Sequence, residues 1–194
     1  MAKIYLCLGS NIGNKENNIH KAIELLKYKN IINLTKVSSL YKTEPVDVEQ
    51  QDWFINCVVE AETVLDLEGL FKFTLDVERK LGKDVKIRFG PRIIDIDILF
   101  FGNDIKNAEI TVDITKNKIN YKNKIKDNNI KNNKPEKYLV QVPHPRMHVR
   151  KFVLVPLNEI AANLVHPILN KTIIEILDHL DPQNAAKKVE LWKK

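Results

Sequence analysis

Asp95 and Asp97 stand one residue apart within FGPRIIDIDILFFGN, residues 89–103, and Arg88 and Arg92 precede them. Residues 93–101 are rich in Ile, Leu and Phe, begin just after Gly90 and Pro91 and stop at Gly102, which predicts a β-strand. Alternation along a strand puts both carboxylates on one face and Ile94, Ile96, Ile98 and Phe100 on the other, with Leu99 and Phe101 continuing the acidic face. The two Cβ atoms are then roughly 6–7 Å apart, about twice the rise per residue. At an effective dielectric of about 20 the charges repel by about 2–3 kcal/mol, a large share of a domain stability of about 5–15 kcal/mol. A cation between them removes that cost. Carboxylate oxygens are hard ligands for Mg²⁺, and guanidinium forks suit the phosphate oxygens a metal leaves uncovered, so these residues predict a metal-phosphate site. A solvated strand face, with water screening both charges, is the alternative this pattern leaves open.

Other segments carry weaker chemistry. Phe54 and Asn56 lie at i and i+2 of a strand-like run and present an aromatic plane and an amide on one face. That pair suits a flat heterocycle with hydrogen-bonding edges, or a core residue beside a satisfied amide; Trp53 and Phe152 carry the same two readings. His144 and His148 are four apart, but Pro143 and Pro145 flank the first and exclude the regular helix a two-histidine zinc site would use. His144 in a stiff Pro-His-Pro turn is read instead as a phosphate donor, against a plain surface loop. GSNIG, residues 9–13, follows a strand as a phosphate loop would, but it lacks the Lys-Ser/Thr of a P-loop and the third Gly of a dinucleotide fingerprint, so it reads as a tight turn. No Ser or Cys has the neighbours of a catalytic nucleophile.

The elements that must hold these groups follow from periodicity. KIYLCLGS (3–10) is a short buried strand, and Ile19, Ala22, Ile23 and Leu26 then fall on one stripe of a helix. Residues 33–43 and 53–63 read as two strands joined by a loop carrying Glu44, Pro45 and Asp47. Asp66 caps a second helix closed by Gly82, and the acidic strand comes next. The order β, α, β, β, α, β is the split βαβ pattern of a ferredoxin-like α+β sheet with helices on one face. A short element at YLVQVPHPRM and helices near 151–163 and 171–180 complete the chain.

At 194 residues the chain is long enough for one domain with a real core. Cys7 and Cys57 both sit in apolar runs, which predicts buried, reduced thiols in a reducing, cytoplasmic setting and leaves no cysteine metal site. No stretch has the length of a membrane span, and the opening residues are too short an apolar run for a signal peptide. The net charge of +6 resides in residues 115–137, which hold eight Lys against Asp127 and Glu136, while the rest balances at 23 basic and 23 acidic residues. That Lys- and Asn-rich segment buries too little to order itself and reads as a mobile surface loop, part of an insertion at about 104–137. A basic balance confined to one loop predicts no specific nucleic-acid recognition.

Taken together, LGSNIGN, SSLYKTEPV, WFINCVVEAET, VERKLG, RFGPRIIDIDILFFG and VPHPRMHVRKFVLVPLNEIA are similar in order and spacing to the 6-hydroxymethyl-7,8-dihydropterin pyrophosphokinase family of folate synthesis. The resemblance spans nearly all of the chain except about 104–137. It implies a ferredoxin-like enzyme that passes pyrophosphate from ATP to the pterin hydroxymethyl group and releases AMP. It further implies that Asp95 and Asp97 bind two Mg²⁺ ions, that Arg92 is a phosphate-binding catalytic residue, and that His144 and Arg150 contact ATP. By the same resemblance Glu78 and Ile98 line the nucleotide site; Arg92, with Arg88 or Lys86, is expected to cover charge building on the transferred group and the AMP oxygen. Phe54 and Phe152 would sandwich the pterin, Asn56 would read its edge, and Thr43, Pro45 and Val46 would form the pterin-side loop. Loops 44–52 and 82–90 are expected as lids, and fusion to another folate-pathway enzyme is an arrangement the sequence leaves open. The chain departs from the family pattern at Leu75, Lys83 and Pro145, and its 82–88 loop is one residue shorter than in some relatives. Two other classes fit the bare residues: an RNA-binding ferredoxin-like module using the Lys-rich loop, and a kinase moving only the γ-phosphate.

Overall fold

The computed structural model describes residues 1–46, 50–83, 90–112 and 135–193. Lys86 and Arg88, most of the 115–137 segment and parts of both expected lids lie outside those residues. The first half of the chain builds the sheet in the expected order. Strand β1 (Ala2–Ser10) leads to α1 (Lys15–Leu26), then β2 (Ile32–Val37), β3 (Tyr41–Thr43) and β4 (Phe54–Thr63), then α2 (Leu67–Lys80) and β5 (Asp95–Phe101). β4 pairs with β1, and β1 with β5, while β2 and β3 share the other side of β4; every pairing is antiparallel. This is the ferredoxin-like arrangement.

The predicted strand 33–43 is two strands. Between them Ser38 donates its N–H to Val58 O (2.9 Å) and accepts the Val58 N–H on its hydroxyl (2.9 Å), so its side chain stands in for a ladder partner. The Ser39 N–H instead meets the Glu159 carboxylate at 3.0 Å. A polar residue supplying a competing acceptor breaks the run there.

One face of the sheet carries Ile4, Leu6, Leu8, Ile94, Ile96, Ile98 and Phe101 against α1 and α2. The other carries Tyr5, Cys7, Val58, Leu99 and Phe100 against α3 (Lys151–Ala161) and α4 (Ile173–Asp178). Helices therefore cover both faces, where the β, α, β, β, α, β core alone predicts one. Phe100 and Phe101 are also exchanged relative to strict alternation. Tyr5 pairs with Phe100 and Leu6 with Ile98, so Leu99 is an extra residue on β5, a bulge that shifts the phase of everything after it.

The flanks of the Lys-rich segment are ordered. β6 (Lys106–Val112) and β7 (Glu136–Val142) form an antiparallel hairpin, and Ile110, Val112, Val140 and Val142 join the α1–α2 core, so Lys106–Val112, Glu136 and Lys137 are strand rather than loop. Short strands β8 (Val165–His166) and β9 (Lys171–Thr172), helix α5 (Pro182–Ala186) and strand β10 (Val189–Leu191) finish the chain. β10 pairs with β3 and becomes the sheet edge; its three residues carry no periodicity by which the sequence would announce a strand. Both cysteines are free and buried. Among the described residues no helix is long and apolar enough to cross a membrane.

Candidate active site

Opposed residues in an antiparallel sheet share a face, so the register itself assembles the site. Cys7 lies opposite Asp97, and Gly9 lies between Asp95 and Asn56. Phe54 and Thr43 are paired two residues further along. The resulting wall borders an open cavity of about 160 Å³. Arg92, His144, Arg146, Arg150 and Phe152 close it from the loops and the start of α3, and Glu44, Pro45, Val46 and Gln51 from the opposite rim.

Its electrostatics divide sharply between the two aspartates. Asp95 Oδ1 accepts from Lys83 Nζ at 2.6 Å and Oδ2 from Arg92 Nη1 at 2.5 Å. Burial alone raises its pKa, but these two cations outweigh burial and hold the carboxyl below the usual range. Among the described residues Asp97 forms an ion pair with the Arg150 guanidinium, 3.7 Å away, and feels Lys83 and Arg92 from further off. Burial, with the charge of Asp95 added, pushes it up to about 6. Among the described residues no three His, Cys, Asp or Glu side chains converge on a metal position. The donor set is a pair of hard carboxylates facing a cationic cavity, which fits a Mg²⁺ that takes its remaining ligands from phosphate and water.

His144 is placed by a cis Val142–Pro143 bond and by its N–H donating to Leu99 O at 2.9 Å. Its Nδ1 accepts the Arg146 N–H at 3.2 Å, which leaves Nε2 as the protonated nitrogen of the neutral ring. Burial and the charges of Arg150 and Arg146 lower its pKa to about 4, so at neutral pH it offers a donor without adding charge.

Most of the residues that the sequence reading singles out converge here: Thr43, Pro45, Val46, Phe54, Asn56, Arg92, Asp95, Asp97, His144, Arg150 and Phe152. Two stand elsewhere. The Ile98 side chain faces the α1–α2 core, because the alternation that turns Asp97 into the cavity turns its neighbour away. Glu78 is buried beneath the cavity and accepts from Lys83 Nζ and the Ile96 N–H, each at 2.7 Å, instead of lining the cavity.

Sequence reasoning missed three positions. Lys83, noted only as a departure, bridges Glu78 and Asp95. Asn11, inside the segment read as a tight turn, accepts the Arg92 N–H on Oδ1 (2.8 Å), donates its own N–H to Arg92 O (3.2 Å) and gives Nδ2 to Gln51 Oε1 (3.0 Å). An Asn directly after a strand that ends in Gly-Ser was the available signal. Gly9 is the third: a Cβ there would lie 2.4 Å from Asn56 Oδ1. Asn56 Nδ2 donates to Thr43 Oγ1 at 2.6 Å, so Gly9→Ala must rotate the amide and break that bond. We expect Gly9→Ala to weaken binding of a flat heterocycle at the Asn56 wall by about tenfold or more, the cost of a misdirected buried amide, while binding at the Asp95–Asp97 end changes little; calorimetric titration checks it.

Comparison with known proteins matches residues 5–162 to the model of the 7,8-dihydro-6-hydroxymethylpterin-pyrophosphokinase family. The 2-amino-4-hydroxy-6-hydroxymethyldihydropteridine pyrophosphokinase of Bacillus subtilis is 38% identical over 156 residues, covering 80% of this chain and 76% of that protein. The Aquifex aeolicus protein of the same name is 33% identical over 187 residues, covering 96% of this chain and 95% of its own length. Among solved structures, Plasmodium falciparum HPPK-DHPS with SDX-DHP superposes with a TM-score of 0.65 at 20% identity, over 92% of this chain and 43% of that one. The chain thus spans less than half of that fused protein, and this likeness concerns the fold.

Proposed function

We propose a role for each group around the cavity from one premise: the chain belongs to the 7,8-dihydro-6-hydroxymethylpterin-pyrophosphokinase family and transfers pyrophosphate from ATP to hydroxymethyldihydropterin in folate synthesis. The observation that supports the residue assignments is the meeting of a carboxylate pair, three cations and an aromatic-amide wall around one cavity. Phe54 and Phe152 flank the pterin ring, and Asn56, its amide fixed by Thr43, reads the ring's hydrogen-bonding edge. Pro45 and Val46 close that side. Arg92, Arg150 and the His144 Nε2–H face the triphosphate, and Lys86 and Arg88 add cover for its charge.

Asp95 and Asp97 hold two Mg²⁺ ions. When bound, the metal neutralises triphosphate charge and draws electron density from the β-phosphorus. In the transfer the pterin hydroxyl oxygen forms a bond to the β-phosphorus while the bond from that phosphorus to the α,β-bridging oxygen breaks. The bridging oxygen keeps the electron pair and leaves on AMP, and the hydroxyl proton passes to water. Transfer of this kind needs little covalent help, so the protein contributes positioning and fixed charge. Asn11 positions Arg92 by gripping its backbone, and Glu78 positions Lys83 beneath Asp95. The domain reading is one pyrophosphokinase unit interrupted between β6 and β7.

The test is a product assay with ATP, Mg²⁺ and hydroxymethyl-dihydropterin. We expect AMP and the pterin diphosphate in equal amounts. ADP would indicate γ-phosphate transfer instead. No nucleotide consumption, together with salt-sensitive RNA retention that disappears on deleting 115–134, would favour the binding-module reading.

A further inference from the structure

Segment 182–193 buries almost nothing, yet it is tied at several points to the walls of the cavity. α5 has no buried residue, and Leu191 and Trp192 are 52% and 37% exposed. Against this stands a dense set of polar ties. β10 pairs with β3 through Val189–Thr43, Glu190–Lys42 and Leu191–Tyr41. Just beyond the ladder the Glu44 N–H donates to Lys188 O (3.1 Å) and the Lys188 N–H returns to Glu44 Oε2 (2.9 Å). Trp192 gives its backbone N–H to Leu40 O (2.8 Å) and its indole N–H to Glu16 Oε2 (3.2 Å). At the other end of the segment Lys151 Nζ donates to Ala185 O.

These ties reach both sides of the pterin pocket. β3 carries Thr43, the acceptor that fixes Asn56, and runs directly into Glu44, Pro45 and Val46 of the rim. Lys151 begins α3 and precedes Phe152, the facing aromatic. A small cleft between the two sides is lined by Glu44, Val46, Arg150 and Phe152 on the pocket side and by Asn184, Lys187 and Lys188 on the other. Without β10, β3 would be a three-residue edge strand held only by β4, a length that is marginal by itself.

We propose that residues 182–193 form a clasp that fixes the spacing between the β3 rim and the start of α3, and so sets affinity for the flat pterin ring without touching it. The clasp rests on the pterin-side assignments above and lies beyond the residues matched by the family model. Its ordering cost is met once, on folding, so the pocket is preorganised before substrate arrives.

Two variants of the full chain test it. The first ends at Lys187. The second is Lys188→Pro, which removes the N–H given to Glu44 and leaves other side chains in place; Lys187 is already extended (φ −61°, ψ 131°), as a residue before proline must be. For both we expect pterin KM to rise about tenfold, with kcat and ATP KM within about twofold, a loss of uniform binding to one substrate. A synthetic peptide of residues 182–194 should restore the truncated chain. Equilibrium binding of 6-hydroxymethylpterin, followed by its fluorescence with a non-hydrolysable ATP analogue present, reads the clasp even without turnover. Unchanged pterin affinity in both variants, or equal loss for both substrates, overturns the clasp alone. Failure of the wild-type chain to form AMP instead removes the functional assignment.

Discussion

Asp97→Asn is expected to lower AMP formation by about 10³-fold or more and, in metal-free buffer, to raise the melting temperature. The two effects have one origin. Asp97 faces the cavity two residues from Asp95 on the same strand, and burial together with that neighbouring charge makes its ionised form costly. On the role proposed for Asp97, the amide cannot supply the charged hard ligand, and the loss of that ligand accounts for the drop in turnover. The pH dependence has a definite sign. A carboxyl whose folded pKa is raised to about 6 binds protons more readily in the folded than in the unfolded state, so its ionisation destabilises the fold. The destabilisation is full above pH 6, fades as pH falls towards 4, and is absent below the unfolded value of about 3.9. About a third of the side chain is exposed, and screening reduces the gain from the amide substitution to about 1 kcal/mol. Thermal melts with chelator at pH 7.5 and pH 4 read it: a gain at the higher pH that vanishes at the lower is the expected pattern, and equal melting at both rejects the charge argument.

Arg92→Lys should retain no more than about one hundredth of wild-type turnover, although the charge is kept. The structure shows why the substitution is not conservative. Asn11 clamps the Arg92 backbone from both sides, Nε donates to Gly90 O at 3.3 Å, and Nη1 reaches Asp95. A guanidinium anchored this way still has donors in a fixed plane for phosphate oxygens, whereas an ammonium on a flexible stem cannot serve backbone, carboxylate and phosphate together. On the role proposed for Arg92, which meets charge building in the transfer, the loss should fall on kcat more than on either KM. Steady-state kinetics in both substrates separates these; a tenfold rise in ATP KM with unchanged kcat would falsify the catalytic role and leave a binding one.

The carboxylate pair and the aromatic-amide wall were legible because both depend on a period of two and short-range order. Asp95 with Asp97, and Phe54 with Asn56, share faces whatever the rest of the chain does. The groups that were not legible act across the chain. Asn11 meets Arg92 across 81 residues, Ser39 meets Glu159 across 120 and Lys188 meets Glu44 across 144, and local pattern carries no information at such separations. Ile98 was assigned to the nucleotide site by resemblance against its own alternation, and in its side chain the alternation prevails. The strand break at Ser38 was hidden for a related reason: the acceptor that draws Ser39 away belongs to α3.

The additional residue at Leu99 has a wider consequence. Upstream of it β5 keeps its acidic side chains towards the ligand, and downstream it turns Phe100 against α3 and hands Leu99 O to His144. Removing that single residue would leave Phe100 opposite Tyr5 and Phe101 opposite Ile4, on the faces they already hold, but would take away the carbonyl from which the imidazole hangs. The extra residue thus adds a buried side chain and an anchor for His144 without disturbing the pairing that aims Asp95 and Asp97 into the cavity.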